Sequence, residues 1–164
     1  MHIKLKLIFI PVILFMFISL GYCQKIQIQQ DSEMAVNFSL PDLNKNNVSI
    51  SDFRNISGVL LFFWTTRCSY CLDELKLLND KYKQLEQEGV KVLAIDIGEP
   101  TYRAQDFARK YELTLPILID LRGEAASLYG IYGVPTYIGI DRSGFIRLET
   151  HSFPEDEYRF LSQE

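Results

Sequence analysis

Six consecutive apolar residues, Val59-Leu60-Leu61-Phe62-Phe63-Trp64, follow Gly58 and lead through Thr65-Thr66-Arg67 into Cys68-Ser69-Tyr70-Cys71. The run is too short for a buried helix, so it predicts a central strand covered on both faces. Beyond the cysteines, Leu75, Leu78, Tyr82 and Leu85 recur at helical spacing with Lys76, Asp80, Lys81, Lys83 and Glu86 between them, as far as Gly89. The chain is therefore expected to turn from strand to helix at the cysteine pair. A C-x-x-C at such a junction is placed to cycle between dithiol and disulfide.

The remaining pattern supplies a fold around that junction. Val90 to Ile97 predicts another buried strand, and Gly98-Glu99-Pro100-Thr101 leads into a helix whose inner face would be Ala104, Phe107, Ala108 and Tyr111. Pro116 to Asp120 reads as a short strand and Glu124 to Tyr129 as a short helix ended by Gly130. This alternation implies right-handed crossovers and a sheet with parallel members. Gly133 to Ile140 is a further strand, where Pro135 is tolerated only at the start or on an edge. Asp141-Arg142-Ser143-Gly144 turns it back into Phe145 to Leu148 as an antiparallel hairpin. At the other end, Val36 to Leu40 and Val48 to Ile50 predict an opening hairpin, after which Ser51 or Asp52 would cap a short helical turn carrying Phe53 inward. Pro154 to Glu164 is expected to be a helical tail, and no internal repeat or low-complexity segment is present.

The N-terminus differs in kind. Lys4 and Lys6 precede an apolar run from Leu7 to Ile18, and no further charge occurs before Lys25. A basic end followed by such a run is an export signal. Residues 1–23 are expected to be a signal peptide cleaved after small residues such as Ser19 and Gly21, or an uncleaved membrane anchor, or a lipoprotein signal ending at Cys23. Gln24 to Met34 then reads as a linker, and 35–164 as a single domain with one core. Without residues 1–23 the chain has 15 basic and 21 acidic residues, since the segment holds two of the 17 basic residues and no acid. The resulting excess of six negative charges argues against nucleic acid and anionic membrane surfaces as partners.

Only Cys68 and Cys71 remain in that domain, a count that favours a functional pair over a structural disulfide framework. A thiol attacks a disulfide as the thiolate. A helix N-terminus at Cys68 would lower its pKa, and Arg67 would add a full charge beside it. Asp73 and Glu74, expected in the first helical turn, would act in the opposite sense. A moderate depression puts the couple near the reducing end of the redox range. Cys68 is thus the expected attacking thiol and Cys71 the resolving one. The pair could also be half of a zinc site, but His2 and His151 do not make a second ligand pair, and neither metal nor cofactor is expected.

Phe62-Phe63-Trp64 before Cys68-x-x-Cys71, with Val134-Pro135-Thr136 about sixty residues on, resembles the thioredoxin superfamily. Two further features, Phe38 to Phe53 at the opening and the extra strand-helix segment from about Gly89 to Pro116, resemble its TlpA/ResA-like exported thiol-disulfide oxidoreductases, with an AhpC/TSA-Redoxin-like domain. The resemblance implies a thioredoxin-like α/β fold, a central mixed sheet flanked by helices, with an N-terminal hairpin and the inserted segment. It also implies a cis Pro135 facing the cysteines, Val134 offering its backbone to an extended substrate, and a substrate-binding set of Trp64, Tyr70, Val134 and Pro135. Glu74 falls where such reductases carry an acid that tunes thiols and relays protons, although an acid there can equally be a helix-dipole partner. The implied partners are a disulfide-containing exported protein, such as the haem-binding cysteine pair in cytochrome c maturation, and a membrane-embedded thiol donor, with the chain a monomer. Two departures stand out. Phe62 occupies the place where ordinary thioredoxins bury a carboxylate, and Ser69-Tyr70 replaces the commoner proline-containing pair. A peroxiredoxin-like peroxidase and a copper metallochaperone using the two cysteines are the competing readings.

Overall fold

The computed structural model describes residues 33–163. The expected signal or anchor, Cys23 and nearly all of the linker lie outside the described residues.

Strand β3 (Gly58–Trp64) is buried along its whole length, as a doubly covered central strand must be. It pairs in parallel with β4 (Val90–Ile97), which pairs in parallel with β5 (Ile117–Asp120). On its other side β3 runs antiparallel to β6 (Thr136–Ile140), and β6 to β7 (Ile146–Thr150). The sheet is therefore mixed, in the order β5-β4-β3-β6-β7. Helices α1 (Ser69–Gln87), α2 (Thr101–Lys110) and α3 (Glu124–Leu128) make the crossovers. A separate hairpin of β1 (Ser39–Pro41) and β2 (Asn47–Ser49) precedes them. Single bridges from Asp42 to Leu118 and from Met34 to Phe145 fasten the N-terminal segment to both flanks of the sheet.

Alternation along β3 and β4 divides the core in two. Leu60, Phe62, Trp64, Val90, Val92 and Ala94 pack with Cys71, Leu75, Leu78 and Leu85 of α1 and Ala104 and Ala108 of α2. Val59, Leu61, Phe63, Leu93 and Ile95 pack on the other face with Phe38, Leu40, Ile50, Ala125 and Ala126. Each large side chain so buried contributes about 1.5–3 kcal/mol relative to exposure. α1 lays Cys71, Leu75, Leu78, Tyr82 and Leu85 against the sheet and stops at Gly89, whose φ of +84° disfavours a side chain. Gly58 opens β3 because a Cβ there would lie 2.5 Å from the carbonyl oxygen of Leu161.

One local expectation is narrowed and two are corrected. The tail is a 3-10 helix, Glu157–Ser162, whose buried Tyr158 and Leu161 are three residues apart, as that helix requires to keep them on one side. The turn after β2 is also 3-10, Ile50–Phe53, with Ser49 as its N-cap and Ile50 as its buried residue; the Asp52 carboxylate accepts the Ser49 N–H at 2.9 Å. Strand β6 begins only after Pro135, which leaves Gly133 to Pro135 as a loop beside the cysteines.

Candidate redox site

The first turn of α1 builds the site. Cys68 is its N-cap, in extended conformation, and the Cys71 N–H points at the Cys68 sulfur at 3.1 Å. One of the unpaired N–H groups of the helix start thus serves that sulfur, the arrangement that stabilises a thiolate once the pair is reduced. The two cysteines form a disulfide with Cα atoms 5.2 Å apart. Cys68 is half-buried, whereas Cys71 is 0% exposed and faces the core. An incoming thiolate can reach only the Cys68 side of the bond.

Across from it lies the loop before β6. The Val134–Pro135 peptide is cis, and the Val134 carbonyl oxygen lies 3.8 Å from the Cys68 sulfur. The Thr136 hydroxyl donates to the Gly133 carbonyl at 2.8 Å. His151 Nδ1 lies 2.9 Å from the Pro135 carbonyl oxygen and 3.1 Å from Thr136 Oγ1. With the Thr136 proton already given to Gly133, His151 satisfies both as the Nδ1–H tautomer. Tyr70, 78% exposed, stands on the open side between the cysteines, with Tyr132 exposed before the loop. His151 therefore braces the proline loop from behind. Among the described residues no three His, Cys, Asp or Glu side chains converge as metal ligands.

Several expected residues occupy other positions than their motif suggested. Trp64 is 0% exposed and packs on Phe107 with ring centroids 5.2 Å apart, which removes it from the surface a substrate meets. The first turn of α1 contains no acid, because the helix begins at Ser69 and puts Asp73 and Glu74 in its second turn. They therefore act on Cys68 from one turn further along the helix than expected. Glu74 Oε2 accepts the Tyr137 hydroxyl at 2.8 Å and the Phe153 N–H at 3.0 Å. Burial, with the Glu74 charge beside it, pushes the Tyr137 hydroxyl well above the usual tyrosine range, so it remains a donor.

Two acids escaped the sequence reading. Glu99, almost wholly buried, accepts the Thr66 N–H at 2.7 Å and the Thr66 hydroxyl at 2.8 Å, so it holds the loop that delivers Cys68. Arg67 Nε and Arg103 Nη1 lie 3.7 and 3.6 Å from Glu99 Oε1, the oxygen that also accepts the Thr66 hydroxyl, so the Arg67 charge is shared with Glu99 and not given to the sulfur alone. Burial alone would raise the Glu99 pKa, but the two Thr66 donors, Asp96 and Arg67 outweigh it and hold it below the usual carboxylate range. Asp96 is the second acid, and no donor reaches either of its oxygens. Burial first, then the neighbouring Glu99 charge, push it up to about 8. The signal was visible after the fact: Asp96 continues Val90, Val92 and Ala94 on the buried face of β4.

The AhpC/TSA family model matches residues 32–149. The thiol-disulfide oxidoreductase ResA of Bacillus cereus is 33% identical over 124 residues, spanning 76% of this chain and 71% of that protein. A solved structure from Chlorobium tepidum, described as a thiol:disulfide interchange protein DsbE, superposes with a TM-score of 0.69 at 28% identity, covering 77% of this chain and 89% of the other. StoA from Bacillus subtilis shares the fold at 22% identity and a TM-score of 0.66, covering 77% of this chain and 96% of its own.

Proposed function

The chain belongs to the AhpC/TSA family, among its TlpA/ResA-like thiol-disulfide oxidoreductases, and we propose that within that group it works outside the cytoplasm as a reductase of protein disulfides. The observation that carries this reading is the half-exposed Cys68 sulfur at a helix start, 3.8 Å from the Val134 carbonyl of the proline loop. As a thiolate, Cys68 attacks the substrate disulfide and forms a mixed disulfide. Cys71 then attacks Cys68, and the substrate leaves reduced. Val134 and Pro135 flank that exchange with backbone to which an extended peptide can pair, and Tyr70 supplies an exposed aromatic beside it. Glu74, engaged by Tyr137 and Phe153, ties α1 to β6 and the tail.

Lys4, Lys6 and the apolar run to Ile18 support export, followed by retention at or release from the outer face of the membrane. Among the described residues no helix is long and apolar enough to cross a membrane. The proposed substrate is an exported protein carrying a disulfide, with the haem-binding cysteine pair of a c-type cytochrome as its specific form. The proposed electron source is a membrane-embedded thiol protein, and the working unit a monomer.

The reduction potential of the Cys68–Cys71 couple against glutathione buffers tests the direction of electron flow. The expected value is below about −230 mV, on the reducing side of the glutaredoxins. A value near the roughly −120 mV of a strong oxidant overturns the reductase reading in favour of disulfide formation. Cys68→Ser should abolish turnover, and Cys71→Ser should accumulate a mixed disulfide with the native substrate. Sustained peroxide consumption by Cys71→Ser would instead favour a peroxidase.

A further inference from the structure

The disulfide leaves one chemical problem to the interior of the protein. When an electron donor attacks Cys68, Cys71 departs as a thiolate in a site with no exposure to water. A bare buried anion there is costly, and a proton must reach it from within. Phe62, in the place where thioredoxins bury a carboxylate, cannot provide it.

Asp96 lies on the correct face to do so. It is the register partner of Trp64 across the β3–β4 pairing, and Phe62 pairs with Ala94 one step earlier. Val90, Val92, Ala94, Phe62 and Trp64 share one cluster with Cys71 under α1, and alternation puts Asp96 on that same face. It is 0% exposed, and neither of its oxygens meets a donor. On β5 the residue opposite Asp96 is Ile119, which brings no charge. The charged groups around it are Glu99, on the loop after β4, Arg67, on the loop after β3, and Arg103 of α2, which reaches Glu99. Facing an anion and no donor, Asp96 makes a hydrogen bond to Glu99 only by carrying a proton itself.

We propose that Asp96 stores the proton of Cys71, with Glu99 as the fixed anion that holds that proton in place and links it, through Thr66, to the loop bearing Cys68. In re-reduction, the donor thiolate forms a bond to the Cys68 sulfur and the Cys68–Cys71 bond breaks. Cys71 leaves with the electron pair and takes the proton from the Asp96 carboxyl. In substrate reduction the Cys71 thiol returns its proton to the Asp96 carboxylate. The Cys71 thiolate then forms the bond to Cys68, and the substrate sulfur leaves with the electron pair. Two electrons pass to the substrate disulfide, and one proton commutes between Cys71 and Asp96. Pushed up to about 8, the Asp96 carboxyl leaves the ordinary carboxylate range and enters the range where thiols titrate, which favours transfer in both directions. The inference rests on Cys71 being the resolving thiol.

The test reacts the reduced protein with dithionitrobenzoate, which releases one coloured thiolate when Cys68 attacks and a second when Cys71 resolves the mixed disulfide. In wild type the second release should rise with pH and level off near 8. In Asp96→Asn the first release should stay within about twofold of wild type, while the second falls about 100-fold at neutral pH and loses that inflection. Unchanged second-phase kinetics, or equal slowing of both phases, overturns the role of Asp96. Cys71→Ser should give the first release alone; if it gives both, the cysteine assignment fails and the inference falls with it. Should Asp96→Asn not fold, carboxyl carbon NMR of the oxidised wild type decides. One aspartate should titrate near pH 8 and move on reduction of the disulfide, and the absence of any aspartate titrating above about pH 6 overturns the proposal.

Discussion

Asp96 and Asp120 lie at the same end of two adjacent parallel strands, β4 and β5, and both are buried. Asp120 begins the turn into α3, where its two oxygens accept the N–H groups of Glu124 at 2.8 Å and Ala126 at 2.9 Å. Both of its oxygens are thus met by the donors of a helix start. Asp96 has no such partner and faces Glu99, whose own oxygens are committed to Thr66. Burial of the carboxyl is the same in both places, but the donors supplied by the following segment differ. At β5 the acid is a structural joint, and at β4 it is a group that keeps its proton.

The comparison is sharpened most by stability measured against pH. Between about pH 4 and about pH 8 folded Asp96 retains a proton that the unfolded chain has released. Stability should therefore fall as pH rises through that window, by about 1.4 kcal/mol per unit at most from this group, and level off above about 8. Asp96→Asn should remove that slope and be the more stable protein at pH 8.5, as read by urea unfolding of the oxidised forms. A slope of the same size in the variant breaks the distinction between the two acids.

Asp120→Ala comes next. Removing the acceptor of two backbone N–H groups should cost about 3 kcal/mol in the same assay, without altering the second thiolate release. A kinetic defect there as large as that of Asp96→Asn would mean that the β5 acid is not merely a joint. Glu74→Gln should have the smallest effect, about 1 kcal/mol, because a neutral acceptor replaces a charged one for Tyr137 and Phe153. If Glu74→Gln and not Asp96→Asn abolishes the pH inflection of the second release, proton handling belongs to α1 and not to β4.

Much of the frame was legible because its causes are local. The continuous apolar run of β3, the helical spacing from Cys71 to Leu85 and the stop at Gly89 each depend on neighbours a few residues away. The tail was legible as helical with Tyr158 and Leu161 inward, but not its helix type, since the two residues fit either type until their packing in the core selected the tighter one. Trp64 shows the limit from the other side. Its place in the motif suggests a surface role, while its position in a doubly covered strand buries it against Phe107 from α2.

The amino-acid sequence by itself determined where a strand becomes a helix and that Cys68 and Cys71 stand at that junction, because apolar run length and periodicity are properties of short segments. Tertiary structure alone decided which acids govern the pair. Glu99 reaches Thr66 across 33 positions of chain, and Asp96 lacks a donor only because β3, β5 and the loops at the strand ends, once assembled, bring it none. The state of a buried carboxyl is set by the groups that enclose it, and in this protein those groups are distant in sequence and meet only through the pairing of the sheet.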